Sequence, residues 1–368
     1  MGMEVKGGAS AWSTEDSIEE LAQLARTAGA QVEGAIIQRL QRPNHSYYIG
    51  QGKVEEIAAL RDEVGYNVVI FDDELSPVQQ RNLEDVLVVK VIDRTALILD
   101  IFAKRAQTRE GRLQVELAQL EYLLPRLVGQ WSHLERLGGG IGTRGPGESQ
   151  LETDRRIIKR KILRLKDEIE GVRKHRALYR RQRTTSSIPV VSMVGYTNSG
   201  KSTLMNALSN AGVFVENKLF ATLDPTTRRI ALPNRQEILL TDTVGFIQKL
   251  PTTLVAAFRA TLEELDEADL LLHVIDITHR NAAEQSATVE QILRELELAD
   301  KPRIEVLNKL DLMVPGENEM GDFISQNPAA GKDAVLISAA KRWGLKALLE
   351  KIASILAESG SHNSGYVE

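Results

Sequence analysis

The chain has 368 residues, of which 42% are hydrophobic and 26% charged, and its formal net charge is −5. These values are typical of a globular protein with two or three domains. The sequence contains no cysteine, which excludes disulfides, thiol catalysis and cysteine-based metal sites, and no apolar run approaches the length of a membrane span. Because the first residues also lack the apolar segment of a signal peptide, we expect a cytoplasmic protein.

Residues 1–109 predict a small α/β domain. Stretches such as SIEELAQLARTAG, from Ser17, have the apolar spacing of an amphipathic helix, and they alternate with strand-like stretches such as YNVVIFDDEL. Ser76 followed by Pro77 is a typical helix start, since serine caps the helix and proline suits its first turn. Strands that alternate with helices predict a parallel sheet.

Two short motifs in this domain each allow two interpretations. Gly50-Gln-Gly-Lys53 resembles half of a phosphate-binding loop, but it lacks the full spacing, and we favour a helix N-terminal turn over a second nucleotide site. Asp72 and Asp73 resemble a metal-binding pair, but we expect them to end a strand at the solvent.

Residues 110–186 predict a helical hairpin with a glycine-rich loop. LQVELAQLEYLLPRL is helical in pattern, and a second helix, predicted at 155–183, repeats apolar residues at spacings of 4 and 3. This repeat indicates the heptad seam of two packed helices, which we expect to be antiparallel. The seam positions are Ile158, Ile162, Leu165, Ile169 and Val172.

The second predicted helix is strongly basic. It holds 13 lysine or arginine residues and 3 acids, in a chain that is acidic overall. Such a helix is the electrostatic footprint of a nucleic-acid-binding protein, although a solvated helix face has the same composition. The glycine-rich loop at 138–147 precedes it, and Arg144 within this loop either follows a groove of RNA or belongs to a disordered linker.

Residues 187–358 carry a phosphate-binding loop. Gly195-Tyr-Thr-Asn-Ser-Gly-Lys201-Ser202 fits the pattern GxxxxGK[ST] between a predicted buried strand, IPVVSMV, and a predicted helix. Backbone N–H groups of such a loop surround phosphate oxygens, the lysine reaches the outer phosphates and the serine hydroxyl binds Mg²⁺.

Residues 359–368 are polar, and we expect a disordered tail there.

Three later motifs follow in the order of a GTP-binding protein. In LLTDTVGF, Asp242 is placed to hold Mg²⁺ through water, and Gly245 to bind the γ-phosphate. In NKLD, the Asp311 carboxylate accepts two N–H donors of guanine that adenine lacks, so the motif selects GTP. Ser338-Ala339 ends a further strand, where its backbone N–H meets guanine O6. Each motif follows a strand, at the edge where a doubly wound sheet binds ligands.

The segment between the first two motifs and the residue after Gly245 bear on hydrolysis. FATLDPTTR offers three threonines that can close on Mg²⁺ and the γ-phosphate, namely Thr222, Thr226 and Thr227. Where many GTPases have a glutamine that orients water, this chain has Phe246. We therefore expect slow hydrolysis by the protein alone and stimulation by a partner.

These motifs together resemble the HflX family of ribosome-associated P-loop GTPases. The resemblance rests on GYTNSGKS, FATLDPTTR, DTVGF, NKLD and SA, and it extends to YIGQGKVEEI, FDDELSPVQQRNLE and GGGIGTRGPGESQLETDRR in the first half. It implies GTP and GDP as ligands, GTP hydrolysis, and binding to the large ribosomal subunit and its RNA, with a role in splitting or rescuing ribosomes. It also implies that Thr222 is the Mg²⁺-binding threonine.

The motifs and the resemblance together define the expected site of a monomeric GTPase. Lys201, Thr222 and Gly245 are the expected catalytic residues, and Ser202 and Thr222 the direct Mg²⁺ ligands. Asn198 resembles an asparagine with which similar GTPases hold K⁺, so we hypothesise that K⁺ assists hydrolysis. The expected nucleotide contacts are Gly195, Tyr196, Thr197, Asn198, Ser199, Gly200, Lys201, Ser202, Phe220, Ala221, Thr222, Leu223, Asp224, Asp242, Thr243, Val244, Gly245, Asn308, Lys309, Leu310, Asp311, Ser338, Ala339 and Ala340.

Two other functions are weaker alternatives. In a metabolic or RNA-modifying enzyme, the first domain would be catalytic, but residues 1–109 contain no cysteine and a single histidine, His45. A membrane-trafficking GTPase would be expected to carry a lipidation motif, which we do not find.

Overall fold

The computed structural model describes residues 1–5, 12–127, 146–183, 188–209, 219–251, 265–319 and 334–363. Within these ranges, no helix combines the length and the apolar content that crossing a bilayer requires. The chain forms two compact units, one comprising Met1–Arg173 and the other most of the chain from Lys174 onward. The finer division at residues 109, 186 and 358 stays a prediction.

The first unit contains two pairs of parallel strands. β1 (Gly2–Val5) pairs with β2 (Ile37–Leu40), and β3 (Val68–Phe71) pairs with β4 (Lys90–Asp93). Met1 connects the two pairs, because its carbonyl accepts, at 2.9 Å, the backbone N–H that follows β3. The predicted parallel pairing is confirmed, whereas β1 has no counterpart among the predicted strands.

Helices alternate with these strands. They are α1 (Thr14–Thr27), α2 (Gln51–Val64), α3 (Pro77–Leu87) and α4 (Arg94–Arg105). The predicted start of α3 is confirmed, because the Ser76 hydroxyl accepts the N–H of Gln79 while the Gln79 side chain accepts the N–H of Ser76. These reciprocal bonds satisfy N–H groups that have no partner inside the helix.

Gly50 and Lys53 lie at the start of α2. The N–H of Gly50 donates to Gln38 Oε1 at 2.9 Å, and the Lys53 ammonium pairs with Glu56 at 2.5 Å. Both groups that a phosphate would use already have partners within the protein. The geometry favours the interpretation of this motif as a helix start.

Two arginines fill the carboxyl ends of β3 and β4. Arg94, with 2% of its side chain exposed, pairs with Asp72 and Glu20 at 2.6 Å each. Arg126 donates to Asp93 at 3.2 Å. Our expectation that Asp72 lies at the solvent is wrong, because this residue is 1% exposed. Its charge is stabilised inside the protein by the guanidinium of Arg94.

Two further helices pack through an apolar seam. They are α5 (Arg109–Leu123) and α6 (Pro146–Arg183). The contacting side chains are Leu113, Leu117, Leu120 and Leu124 with Ile158, Ile162, Leu165 and Ile169, which confirms the packing of these four predicted seam positions. The antiparallel direction stays a prediction. α6 begins at Pro146, earlier than the predicted residue 155 and within the predicted glycine-rich loop at 138–147, and residues 128–145, with Arg144, lie outside the described residues.

The second unit is built on a sheet of six described strands in the order β10-β9-β8-β5-β7-β6. They are β5 (Val190–Gly195), β6 (Thr226–Ala231), β7 (Glu237–Asp242), β8 (Leu270–Asp276), β9 (Arg303–Asn308) and β10 (Ala334–Leu336). All neighbours are parallel except β6 and β7. β5 and β8 are almost entirely buried apolar runs, as expected for parallel strands covered on both faces. The predicted doubly wound, mostly parallel sheet is confirmed.

Helices of this unit are α7 (Lys201–Ser209), α8 (Ala282–Glu295) and α9 (Leu345–Asn363). The prediction of a disordered tail from residue 359 is wrong as far as Asn363, because α9 continues to that residue. Residues 364–368 lie outside the described residues. β5, β7 and β9 end at Gly195, Asp242 and Asn308, which brings the predicted motifs to one edge of the sheet.

Candidate nucleotide-binding site

The phosphate-binding loop connects β5 to α7, and close contacts fix its glycines. A Cβ atom on Gly195 would lie 2.3 Å from the carbonyl oxygen of Val274 in β8. Gly200 has a φ of +99°, and a Cβ atom there would lie 2.2 Å from Asn308 Nδ2. Since neither position has room for a side chain, the two glycines allow the loop to lie close against the Val274 carbonyl of β8 and the Asn308 side chain at the end of β9.

Lys201 is buried beneath this loop. Its ammonium donates to the carbonyl oxygens of Gly195 and Tyr196, at 3.1 and 2.9 Å. Burial lowers the pKa of Lys201 to about 8, although the nearby carboxylate of Asp242 acts in the opposite direction. A poorly hydrated ammonium at this position would attract an anion strongly.

Ser202, Thr222 and Asp242 meet in one cluster. The hydroxyl oxygens of Ser202 and Thr222 are 2.7 Å apart, and they donate to Asp242 Oδ2 at 2.7 and 2.9 Å. Of the three candidate threonines, Thr222 is the one placed here. Thr226 begins β6, and the Thr227 hydroxyl bonds instead to a threonine of β7.

The chemistry of this cluster suits a hard divalent cation. Burial raises the pKa of Asp242, while Lys201 and the hydroxyls of Ser202 and Thr222 oppose that shift. The second carboxylate oxygen, Oδ1, is also buried, and it has no hydrogen-bond partner in the described part of the chain. A carboxylate beside two hydroxyls is an all-oxygen donor set, the type that Mg²⁺ prefers.

Gly245 lies directly against the phosphate-binding loop. A Cβ atom at this position would be 2.7 Å from Thr197 Cα and 3.1 Å from Lys201 Nζ. The Thr243 hydroxyl donates to the carbonyl of Met193 at 2.6 Å, which holds the start of this segment against β5. The backbone of Gly245 therefore reaches the part of the loop where the ammonium is located.

The residues after Gly245 provide no obvious group for orienting water. Phe246 is 2% exposed and has an apolar side chain. The N–H of Gln248 donates to the hydroxyl of Tyr196 at 2.8 Å, which fixes the Gln248 backbone next to the loop. Slow hydrolysis by the protein alone stays a prediction.

Asn308 connects the phosphate-binding loop to the predicted guanine site. Its Nδ2 donates to the carbonyl of Ser199 at 2.9 Å, and its Oδ1 accepts the N–H of Ala339 at 3.0 Å. The Ser338 hydroxyl donates to Asp311 Oδ1 at 2.5 Å. These bonds align the NKLD and Ser-Ala motifs beside the loop and orient the Asp311 carboxylate.

Asp276 belongs to this end of the site but is absent from the predictions. Its Oδ2 pairs with the ammonium of Lys309, a residue with a φ of +69°, at 2.6 Å. Asp276 ends β8, so its place at the carboxyl edge of a strand of the same sheet is a signal that identifies it.

The other predicted contact residues lie on the same segments. Tyr196, Phe220, Leu223, Val244 and Leu310 are buried, Ala221 and Asp224 are half-buried, and Asn198 and Ala340 are exposed. All three phosphate-side motifs line one cavity, to which Thr197, Asn198, Gly200, Lys201, Ser202, Thr203, Phe220, Ala221, Thr222, Thr243 and Gly245 contribute. The structure therefore brings together residues that are up to about 50 positions apart in the sequence, an arrangement typical of P-loop folds.

Three family models match consecutive parts of the chain. They are described as GTP-binding GTPase N-terminal, at residues 15–103, GTP-binding GTPase middle region, at 105–183, and 50S ribosome-binding GTPase, at 190–309. Together they match most of the sequence, including the phosphate-binding loop and the NKLD asparagine.

Relatives named GTPase HflX match over most of the chain. The protein of Caldanaerobacter subterraneus subsp. tengcongensis is 54% identical over 324 residues, which cover 88% of this chain and 76% of the relative. That of Escherichia coli K12 is 49% identical over 298 residues, or 81% and 70%. A crystal structure of SsGBP in complex with GDP is similar over 97% of this chain and 98% of its own, at 28% identity and a TM-score of 0.51. The chain belongs to the HflX family of P-loop GTPases and is an enzyme that hydrolyses GTP.

Proposed function

We propose that the chain uses the residues of the predicted site to bind GTP and GDP, and that its GTP cycle controls binding to the large ribosomal subunit, with a role in ribosome splitting or rescue. The phosphates lie on the loop between Gly195 and Ser202, and guanine lies at Asp311. The observation that carries the assignment of the phosphate end is the direct contact of Ser202, Thr222 and Asp242 in one cluster.

The metal would be held by the same cluster. Ser202 and Thr222 would bind Mg²⁺ directly through their hydroxyls, and Asp242 would hold it through water, as its buried second oxygen supports. Mg²⁺ bound there neutralises negative charge on the phosphate oxygens.

Lys201 and Gly245 stabilise charge on the transferred phosphate. The Lys201 ammonium is held by the carbonyls of Gly195 and Tyr196, from which it can extend to phosphate oxygens, and the backbone of Gly245 lies close to it. Positioned donors of this kind stabilise the charge that develops in the transition state. Phe246 cannot orient the attacking water, so basal hydrolysis is slow and a partner stimulates it.

The proposed partner surface is the first part of α6. Arg155, Arg156, Lys159 and Arg160 are all exposed, and none has an acidic partner in the described part of the chain. The description 50S ribosome-binding GTPase, given to the model that matches residues 190–309, supports a ribosomal partner, and that partner implies a cytoplasmic protein. Exposed cations on one helix, with no acidic partner among the described residues, fit the phosphate backbone of ribosomal RNA.

The next cations along α6 differ from these four because each has a carboxylate partner. Lys161 and Lys166 pair with Glu116 and Glu121 of α5, at 2.5 and 2.8 Å, and Arg164 pairs with an acid within α6. These surface cations are already paired with carboxylates of this chain, so this part of the helix should contribute less to RNA binding. The two segments provide a matched pair for experiment.

The test compares charge reversal in the first segment with charge neutralisation at Lys161 and Lys166. Changing Arg155, Arg156, Lys159 and Arg160 to Glu should weaken co-sedimentation with large subunits, and it should reduce the dependence of log K on log[salt] by about 3, because each lost phosphate contact removes about 0.7–0.9 from the slope. Lys161→Gln with Lys166→Gln is the control, and it should change the slope less. The affinity for GTP should be unchanged in both.

Unchanged co-sedimentation of the charge-reversed variant would show that the helix is a solvated face. Equal losses in both variants would contradict the assignment of the interaction to the first segment.

A further inference from the structure

The hydroxyl of Thr197, in the middle of the phosphate-binding loop, connects that loop to the segment that carries Thr222. The N–H of Phe220 donates to Thr197 Oγ1 at 2.8 Å, and both residues are buried. Thr222 follows Phe220 by two residues and contacts Ser202 and Asp242. The Thr197 hydroxyl therefore fixes the backbone just ahead of one of the proposed Mg²⁺ ligands.

Phe220 adopts a backbone conformation that its surroundings must stabilise. Its φ is +55°, in the left-handed region that non-glycine residues rarely occupy, and its side chain is 1% exposed. Leaving a buried backbone N–H without a partner shifts a conformational equilibrium by about 5- to 150-fold. The Thr197 hydroxyl prevents that shift, because it accepts this N–H in the conformation that directs the chain towards Ser202.

Thr197 also contacts the opposite wall of the site. Its own N–H donates to the carbonyl of Phe246 at 2.7 Å, and a Cβ atom on Gly245 would lie 2.7 Å from Thr197 Cα. One residue of the loop therefore touches both the segment before Thr222 and the segment that carries Gly245. The side chain of Thr197 makes the contact with Phe220, and its backbone makes the contact with Phe246. A substitution of the side chain can therefore remove the first contact and keep the second.

We propose that Thr197 is a positioning residue for GTP hydrolysis, whose hydroxyl holds Phe220 and so keeps Thr222 within reach of a cation at Ser202 and Asp242. Thr197 acts through Thr222 and does not itself act on the phosphates. The inference rests on the proposed Mg²⁺-binding role of Thr222.

The test is Thr197→Val, which removes the acceptor but keeps the branched shape of the side chain. The kcat for GTP should fall by about 5- to 150-fold, the range expected when a buried N–H loses its partner. The Mg²⁺ concentration needed for half-maximal activity should rise, and the loss of GTP affinity should exceed any loss of GDP affinity, because GDP lacks the γ-phosphate that Thr222 approaches. Thr197→Ser keeps the hydroxyl and should restore most of the activity.

A double-mutant cycle with Thr222→Ala tests whether the two residues act together. In the Thr222→Ala background, Thr197→Val should have no further effect on kcat. Additive effects, or an unchanged kcat in Thr197→Val, would overturn the inference, as would an equal loss in Thr197→Ser. If Thr222→Ala alone hydrolyses GTP at the wild-type rate, the proposed metal role of Thr222 fails first, and the two failures are thereby distinguished.

Discussion

Replacing Asp311 by Asn should change the base that the protein binds from guanine to xanthine. The orientation of the new amide follows from Ser338. The Ser338 oxygen accepts the N–H of Lys341 at 3.0 Å, and its hydroxyl hydrogen is donated to Asp311 Oδ1. An asparagine at 311 must therefore direct its oxygen to Ser338 and its NH₂ group to the base. That group faces two donors in guanine but a carbonyl in xanthine.

The expected loss is large. Guanine gives Asp311 two hydrogen bonds to a charged acceptor, each worth about 1.5–3 kcal/mol. Losing both gives about 3–6 kcal/mol, which corresponds to roughly 10²- to 10⁴-fold weaker GTP binding. XTP recovers one favourable bond from the amide, so its affinity for Asp311→Asn should exceed that of GTP.

Equilibrium titration with fluorescent GDP and XDP measures both affinities, and Asp311→Ala serves as the control. The alanine variant should lose guanine binding without any gain of xanthine binding, because it has no donor. GTP affinity that is equal in the wild type and Asp311→Asn would refute the assignment of Asp311. Equal xanthine affinities in the two variants would refute the orientation imposed by Ser338.

Asn308→Ala should weaken GTP binding and lower the unfolding temperature, because it leaves the buried Ser199 carbonyl and Ala339 N–H unpaired, at about 1–3 kcal/mol each; unchanged values in calorimetry would contradict this. The nearby His273 and the ion pair with Arg303 lower the pKa of Glu290 below 4.5, so its contribution to stability is complete above that pH and is lost as the pH falls through the lower, folded-state pKa. Glu290→Gln should therefore unfold at a lower temperature than wild type at pH 7, with the difference shrinking as the pH falls below 4.5; a pH-independent difference would assign the effect to packing. Hydrolysis should be faster in K⁺ than in Na⁺, and Asn198→Ala should remove the difference; equal rates of the wild-type enzyme in the two salts would exclude a K⁺ site at Asn198. Large ribosomal subunits should raise the steady-state GTPase rate several-fold or more, and a fast rate without them would contradict the role assigned to a partner.

The sequence predicted those features that depend on a short local pattern or on the order of motifs along the chain. The start of α3 at Ser76 and Pro77 depends on contacts a few residues apart, and the seam of α6 is visible as a periodic pattern within one helix; both agree with the structure. The order of the GTP-binding motifs likewise follows from the strands that end at Gly195, Asp242 and Asn308. In each case the deciding interaction is local or is fixed by the sheet.

Features that depend on distant partners could not be predicted in this way. Asp72 looks like a solvent-facing strand end until Arg94, 22 residues away, is seen to pair with it. The contact of Thr197 with Phe220 spans 23 residues and involves a left-handed phenylalanine, which no propensity favours. The residues alone left Thr222, Thr226 and Thr227 open; the family resemblance pointed to Thr222, which the fold places beside Ser202 and Asp242.

Arg94 and Arg126 fill the carboxyl ends of β3 and β4 in the first unit. In a parallel α/β sheet, this edge is the usual place for a substrate or cofactor. Here the guanidinium groups of Arg94 and Arg126 occupy this edge, and each is paired with a buried carboxylate. The protein's own side chains thus take the place that a ligand would fill. A compound screened against that edge would have to displace an arginine and leave an uncompensated charge behind. Inhibitors of the protein are therefore better sought at the proposed GTP site.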